Sequence, residues 1–321
     1  MSDYHYKEGD VLARENSKYS TLVGKSGWLY IWNIDSLTEK VSGKLLATDR
    51  ELEAMALNAE LRASWCRDRG IVYRHMIGPD KSAIYPEFLP DGISRGEMTL
   101  LDQCTSAWSD KERHIDFIDT ASLLKKAGKD KEVYFRNDSH WNYWGALEVF
   151  NALAESTTEE PRPIRPFSRD EITTVARKRV FELAALADDP PLEAFDVVKP
   201  GSSGAKLVFE SESARGKIQV FEKLDANLPR CVLFRDSYAS FFVPFLAERC
   251  SRLTVLNTRH FWYDLVRRDA SDVVVSQVAE RFLHPFTPDV QARTFDDVFR
   301  VSLDEIVRAG ATGERVDNPE A

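Results

Sequence analysis

Two kinds of hydrophobic spacing alternate along most of this chain. Short apolar runs with strand-like spacing occupy 27–32, after the Gly24-Lys25-Ser26-Gly27 turn, then 71–77, 114–118, 133–136, 231–234, 253–256 and 272–276. Between them, apolar residues recur with helical period. Leu52, Met55, Ala56, Ala59, Leu61 and Trp65 mark 48–69 as a helix, and Gly70 ends it. Further helices are predicted over about 97–111, from Asp119, over about 142–155 and over about 240–249. Strands that alternate with crossover helices become parallel neighbours, covered on both faces. The pattern therefore predicts an α/β fold with three layers, α/β/α, around a mainly parallel central sheet.

Three stretches depart from the alternation. Residues 1–20 are polar and are expected to form a flexible N-terminal segment, and 311–321 a flexible tail. Residues 167–228 are short-patterned and charged, broken by Asp188-Asp189-Pro190-Pro191 and Pro200-Gly201-Ser202-Ser203-Gly204. They are predicted to be a helix with small hairpins, an excursion inserted into one domain over 21–310. Their character would suit a lid.

Composition narrows the functional classes. Seven Trp and eighteen Phe in 321 residues supply a large core. The net charge of −9 and the lack of a Lys/Arg block argue against nucleic acid as a partner. No run approaches the ~18 apolar residues of a membrane span, and the first residues show no basic region followed by an apolar one. As written, the chain reads as cytoplasmic; removal of a signal or anchor would make it periplasmic. Cys66, Cys104, Cys231 and Cys250 are scattered, without a Cys-x-x-Cys pair, and are expected to be free thiols.

Ligands of parallel sheets bind beyond the carboxyl ends of the strands, so chemistry is sought after Phe234, Phe135 and Ile77. After Phe234 comes Arg235-Asp236-Ser237-Tyr238-Ala239-Ser240, a polar turn between strand and helix that would present Ser237 at the sheet edge. Helix capping is the plainer reading of such a turn. After Phe135 comes Arg136-Asn137-Asp138-Ser139-His140-Trp141-Asn142. Asp138 and His140, two apart, would share a face of an extended segment, where the carboxylate can orient the imidazole toward a hydroxyl. No His-x-His, His-x-x-x-His or Cys pair supports a metal site, and none is expected. Lys81 after Gly78-Pro79, and Arg259 after the strand at 253–256, are placed at the same edge, as substrate contacts or as solvated cations. His260 beside them would line a pocket or pack, and Trp262 and Tyr263 could stack on the face of a ligand. His75, inside an apolar run, reads as a core residue.

Together these segments resemble the alginate O-acetyltransferase family, the AlgX/AlgJ-like group, which has an SGNH hydrolase-like domain. The resemblance is carried by Gly24-Lys25-Ser26-Gly27-Trp28-Leu29-Tyr30, Pro79-Asp80-Lys81-Ser82-Ala83-Ile84-Tyr85-Pro86-Glu87, Asp138-Ser139-His140-Trp141-Asn142, Arg235-Asp236-Ser237-Tyr238 and Glu280-Arg281. It implies Ser237 as nucleophile, His140 as general base and then acid, and Asp138 as its orienting partner. The implied reaction passes an acetyl group through an acyl-enzyme to a carbohydrate hydroxyl. Tyr238 is expected to contact substrate, and the oxyanion donors are expected among the N–H groups of Ser237 and Tyr238. The expected partners are a carbohydrate acceptor and an acetyl donor or acetyl-delivering protein, with no cofactor, nucleic acid or transmembrane segment. A carbohydrate esterase with the same triad, or a non-catalytic glycan-binding scaffold, are the alternatives.

Overall fold

The run 231–234 is Cys-Val-Leu-Phe, apolar toward both of its faces, and the structure places it at the centre of a sheet. A computed structural model describes residues 6–33, 36–213, 216–289 and 295–310. Among them twelve strands form: β1 (Val11–Leu12), β2 (Ser20–Val23), β3 (Leu29–Trp32), β4 (Val72–Gly78), β5 (Phe117–Ile118), β6 (Ile172–Arg179), β7 (Glu193–Pro200), β8 (Lys206–Ser213), β9 (Gly216–Glu222), β10 (Arg230–Arg235), β11 (Arg252–Asn257) and β12 (Val273–Ala279). Seven of them make the central sheet, in the order β5-β4-β12-β10-β11-β9-β8. The first five run parallel, with Cys231 opposite both Leu253 and Val273. β9 and β8 continue the sheet antiparallel beyond β11.

Helices cover both faces, which completes the three layers. Cys231 and Leu233 pack with Phe150 and Leu153 of the helix Tyr143–Glu155 and with Phe245 and Leu246 of Val243–Glu248. Val232 and Phe234 point the other way, to Ala63 and Cys66 of the helix Asp49–Arg67 and to Leu265 and Val266 of Tyr263–Arg268. Thr48 and Thr99 start their helices with reciprocal capping boxes to Glu51 and Asp102. Asn142 caps the helix Tyr143–Glu155 by accepting from the N–H groups of Trp144 and Gly145. That cap anchors the chain two residues past His140. The four cysteines are free and buried. Among the described residues no helix is long and apolar enough to cross a membrane.

Three expectations change. The run 133–136 is not a strand of the sheet: Tyr134 makes one antiparallel bridge to Trp141. The loop closes on itself, with Phe135 N–H donating to His140 C=O (3.3 Å) and Asn142 N–H to Val133 C=O (2.9 Å). Its apolar side chains are buried by tertiary packing instead of by strand neighbours, so periodicity misreads it. At the N-terminus, β1, β2 and β3 form a three-stranded antiparallel sheet, where 1–20 was expected to be loose. Residues 1–5 and the tail 311–321 lie outside the described residues. Within 167–228 only short 3-10 turns appear among the described residues, and no longer helix. β6 and β7 pair as a separate hairpin, whereas β8 and β9 belong to the central sheet, so the excursion ends earlier than its charge pattern suggests.

Candidate active site

The turn that carries Ser237 is built by Asp236, the first residue beyond β10. Its N–H donates to Gln277 Oε1 (3.1 Å), and its carboxylate accepts from Tyr238 N–H (3.1 Å) and from Ala279 N–H (2.5 Å). Both Gln277 and Ala279 belong to the neighbouring strand β12, so the turn is fixed to the sheet. Burial pushes the Asp236 carboxyl above its ordinary value, and the backbone donors oppose that shift. Ser237 begins a 3-10 turn and is exposed, while Tyr238 and Ala239 turn inward. Asp236 thus takes up the Tyr238 N–H, one of the two groups expected to face an oxyanion.

The other half of the site comes from the loop 135–142. His140 Nδ1 lies 2.6 Å from Asp138 Oδ1, and the His140 N–H donates to the same oxygen at 3.0 Å. His140 Nε2 lies 2.8 Å from Ser237 Oγ. An acceptor carboxylate at Nδ1 selects the Nδ1–H tautomer, which leaves the Nε2 lone pair facing the serine hydroxyl. Burial raises the Asp138 carboxyl, but the hydrogen bonds and charge of His140 outweigh it and hold the group below its ordinary 3.8. A carboxyl lowered by folding stabilises the protein above its unfolded value, and the contribution disappears as pH falls through the folded value. The unfolding free energies of wild type and Asp138→Asn, separate at pH 6, are therefore expected to converge in urea titrations as pH falls through the lowered folded value of Asp138.

Why the loop holds this shape is explained by charges beneath and beside it. The buried Lys81 ammonium donates to the carbonyls of Phe135 (2.9 Å), Arg136 (2.8 Å) and Asp138 (2.7 Å). Three acceptors satisfy its three donors. Burial pushes Lys81 down to about 7, against the pull of Glu193, Asp138 and Glu182. From the hairpin, the Glu193 carboxylate accepts from the N–H groups of Arg136 (2.9 Å) and Asn137 (2.8 Å). Leu29 N–H donates to Arg136 C=O (2.9 Å), which brings the Gly-Trp-Leu segment to the same loop.

A buried polar network then links the remaining segments. Tyr238 Oη lies 2.9 Å from both Asp80 Oδ1 and the Ser139 carbonyl, and accepts from Arg281 at 2.7 Å. The Arg281 guanidinium forks onto Asp80 Oδ1, with Nε at 2.8 Å and Nη2 closer still. Glu280 accepts from Asp80 N–H (2.8 Å), and burial together with Asp80 pushes its carboxyl up to about 8. The five short segments singled out in sequence thus meet around one loop and one turn.

The expected substrate contacts are placed differently from one another. Lys81 and Tyr238 are buried, their polar atoms turned to the protein interior. Arg259 is exposed and donates to the Phe282 carbonyl (2.9 Å). Arg259 and His260 line a cavity of about 70 Å³ with Arg62, His75 and Phe234, and none of Asp138, His140 and Ser237 lines it. Trp262 packs edge-on against Phe295 and Phe299, with ring centroids 5.1 and 5.5 Å away. His75 is a core residue, its ring 4.6 Å from that of Trp108, and burial pushes it down to about 3. Sequence reasoning missed Glu182 and Glu193, which lie more than forty residues from the loop they touch and carry no local signature. Asp138, His140 and Glu182 bring donor atoms within 4.8 Å of one another. The 2.6 Å separation of Nδ1 from Asp138 is a hydrogen-bond distance that leaves no room for an ion between them.

Comparison with known proteins bears on the whole arrangement. Residues 21–252 match the family described as SGNH hydrolase-like domain, acetyltransferase AlgX. PatB1 of Bacillus cereus shares the fold with a TM-score of 0.61 at 14% identity, over 83% of this chain and 97% of its own. The O-acetyltransferase domain of Pseudomonas putida AlgJ gives a TM-score of 0.55 at 15% identity, covering 90% and 98%. Pseudomonas aeruginosa AlgX gives 0.54 at 13% identity, covering 92% of this chain and 67% of that one. At such identities the shared structure speaks to architecture alone. No curated protein matches the chain. The family match, in contrast, spans most of the sequence, including Asp138, His140 and Ser237, and by it this chain belongs to the AlgX acetyltransferase family of SGNH hydrolase-like domains and is an SGNH-type O-acetyltransferase.

Proposed function

We propose that the protein moves an acetyl group from a donor to a carbohydrate hydroxyl through an ester on Ser237. The observation that carries this reading is the line of contacts from Asp138 to His140 Nδ1 (2.6 Å) and from His140 Nε2 to Ser237 Oγ (2.8 Å). His140 Nε2 takes the serine proton as Oγ attacks the donor carbonyl, and the imidazolium then protonates the departing group. In the second half, Nε2 takes the proton of a sugar hydroxyl, whose oxygen attacks the acetyl ester. The proton returns to Ser237 as the C–O bond to it breaks. Asp138 holds the tautomer and stabilises the imidazolium in both halves. Each step uses this chain's own side chains, and the donor is a substrate, not a resident group. Of the expected substrate contacts Arg259 is the exposed one, and it lines a cavity apart from Asp138, His140 and Ser237.

Because Ser237 is open to solvent, water is a competing acceptor, which favours an esterase as the second reading. The test uses p-nitrophenyl acetate as donor with neutral and acidic oligosaccharides as acceptors, read by mass spectrometry. An acetylated oligosaccharide, with a transient gain of one acetyl group on intact protein that Ser237→Ala lacks, supports transfer. Ser237-dependent release of p-nitrophenol without acetylated sugar supports the esterase. Neither product would leave a glycan-binding scaffold. The compartment, cytoplasmic or periplasmic, belongs to the same proposal, with cell fractionation to decide.

A further inference from the structure

We infer that Glu182, carried by the segment between the helix Tyr143–Glu155 and β8, is a positioning residue that supports His140 from the Nδ1 side. The inference rests on the triad reading above and adds a residue outside it. Ser139, between Asp138 and His140, donates its hydroxyl to Glu182 Oε1 at 2.5 Å. The same carboxylate oxygen lies 3.9 Å from His140 Nδ1. Two carboxylates therefore face one ring nitrogen, Asp138 in direct contact and Glu182 one shell further out.

Glu182 is held there by its neighbours. Leu183 N–H donates to Asn137 C=O (3.2 Å), and Leu183 C=O accepts from the Thr21 hydroxyl (3.1 Å). The segment is thereby tied to both the catalytic loop and β2. The hydrogen bond from Ser139 orients one carboxylate oxygen toward the ring instead of leaving it to solvent.

The remaining groups around the ring do not duplicate this charge. The Tyr238 and Phe241 rings lie 4.9 and 5.7 Å from it. Lys81 lies beneath the loop, committed to three carbonyls, and Glu193 is committed to two N–H groups. Arg281 is paired with Asp80. The Tyr19 phenol is close enough to Glu182 and Asp138 for both to raise it, after burial. When His140 accepts the serine proton, a full negative charge at about 4 Å favours the imidazolium. Even screened as in water, such a charge moves a titration by roughly 0.7 pH unit.

Glu182→Gln tests the charge alone, since the amide oxygen still accepts from Ser139 and the volume is kept. Two readouts are compared with wild type: the pH titration of the His140 imidazole by ¹⁵N NMR, and the acidic limb of kcat/KM for p-nitrophenyl acetate. Both midpoints are expected to fall by about 0.5–1 unit in Glu182→Gln, with the melting temperature little changed. Ser139→Ala frees the carboxylate but also removes the Ser139 Oγ contact 3.4 Å from His140 Nδ1; it should lower both midpoints by a smaller amount, and Ser139→Ala with Glu182→Gln should lower them no further than Glu182→Gln alone. Glu182→Asp keeps the charge and should stay nearer wild type than Gln. Midpoints that coincide with wild type in both Glu182→Gln and Ser139→Ala would overturn the inference. Turnover that persists in Ser237→Ala would instead overturn the triad reading, and the NMR titration would still decide the position of Glu182.

Discussion

Ser237→Ala and His140→Ala are each expected to lower kcat/KM for acetyl transfer by at least about 10³-fold. Ser237 is exposed and its side chain meets only His140 among the hydrogen bonds described, so its loss removes chemistry without opening the core. The melting temperature should stay within about 2 °C of wild type, as for an ordinary surface substitution. His140 is half-buried between the Tyr238 and Phe241 rings, and its removal will cost somewhat more stability. The double variant should be no slower than the worse single one, because nucleophile and base act as a unit. Steady-state hydrolysis of p-nitrophenyl acetate and calorimetry on the same samples check all of this. Independent, multiplying losses would show that the 2.8 Å contact is not the one used in the reaction.

The largest structural effect is expected from Asp80→Ala. Asp80 and Arg281 are both buried, at 1% and 5% exposure, so removal of the carboxylate leaves a guanidinium without a counter-charge in the interior. Breaking a buried pair from one side costs about 3–5 kcal/mol. The paired change Asp80→Ala with Arg281→Met should recover part of that loss, since no charge is then stranded. Activity should suffer beyond stability, because Tyr238 Oη bridges Asp80 to the Ser139 carbonyl in the catalytic loop. Urea unfolding of the three variants, with kcat measured well below their midpoints, separates the two effects. A cost below about 1 kcal/mol would mean that the pair is solvated and does not brace the loop.

The layer order and the ends of the strands were legible in the sequence. A parallel strand covered on both faces is mainly apolar, and the apolar runs of β4, β10, β11 and β12 predicted those strands to within one residue at each end, except that β12 continues three residues further to Ala279. Ser237 stands just beyond β10 as its local pattern suggested, whereas the Asp138–His140 pair follows a loop and not a strand. What the chain could not show by itself was everything held by long-range polar contacts. Lys81 and Tyr238 stand at the functional edge in sequence, yet tertiary packing turns their polar atoms inward to carbonyls and to Asp80. The segment 133–136 has a strand's composition but forms a loop, since Lys81 and Glu193 satisfy the backbone groups that strand neighbours would otherwise pair. Glu182 and Glu193 sit in a charged stretch with no periodic signal, and only the folded chain brings them to His140 and its loop. Periodicity records which side of an element is apolar, a property of neighbours in the chain. A buried charge is decided by which distant partner can satisfy it, and that is a property of the fold.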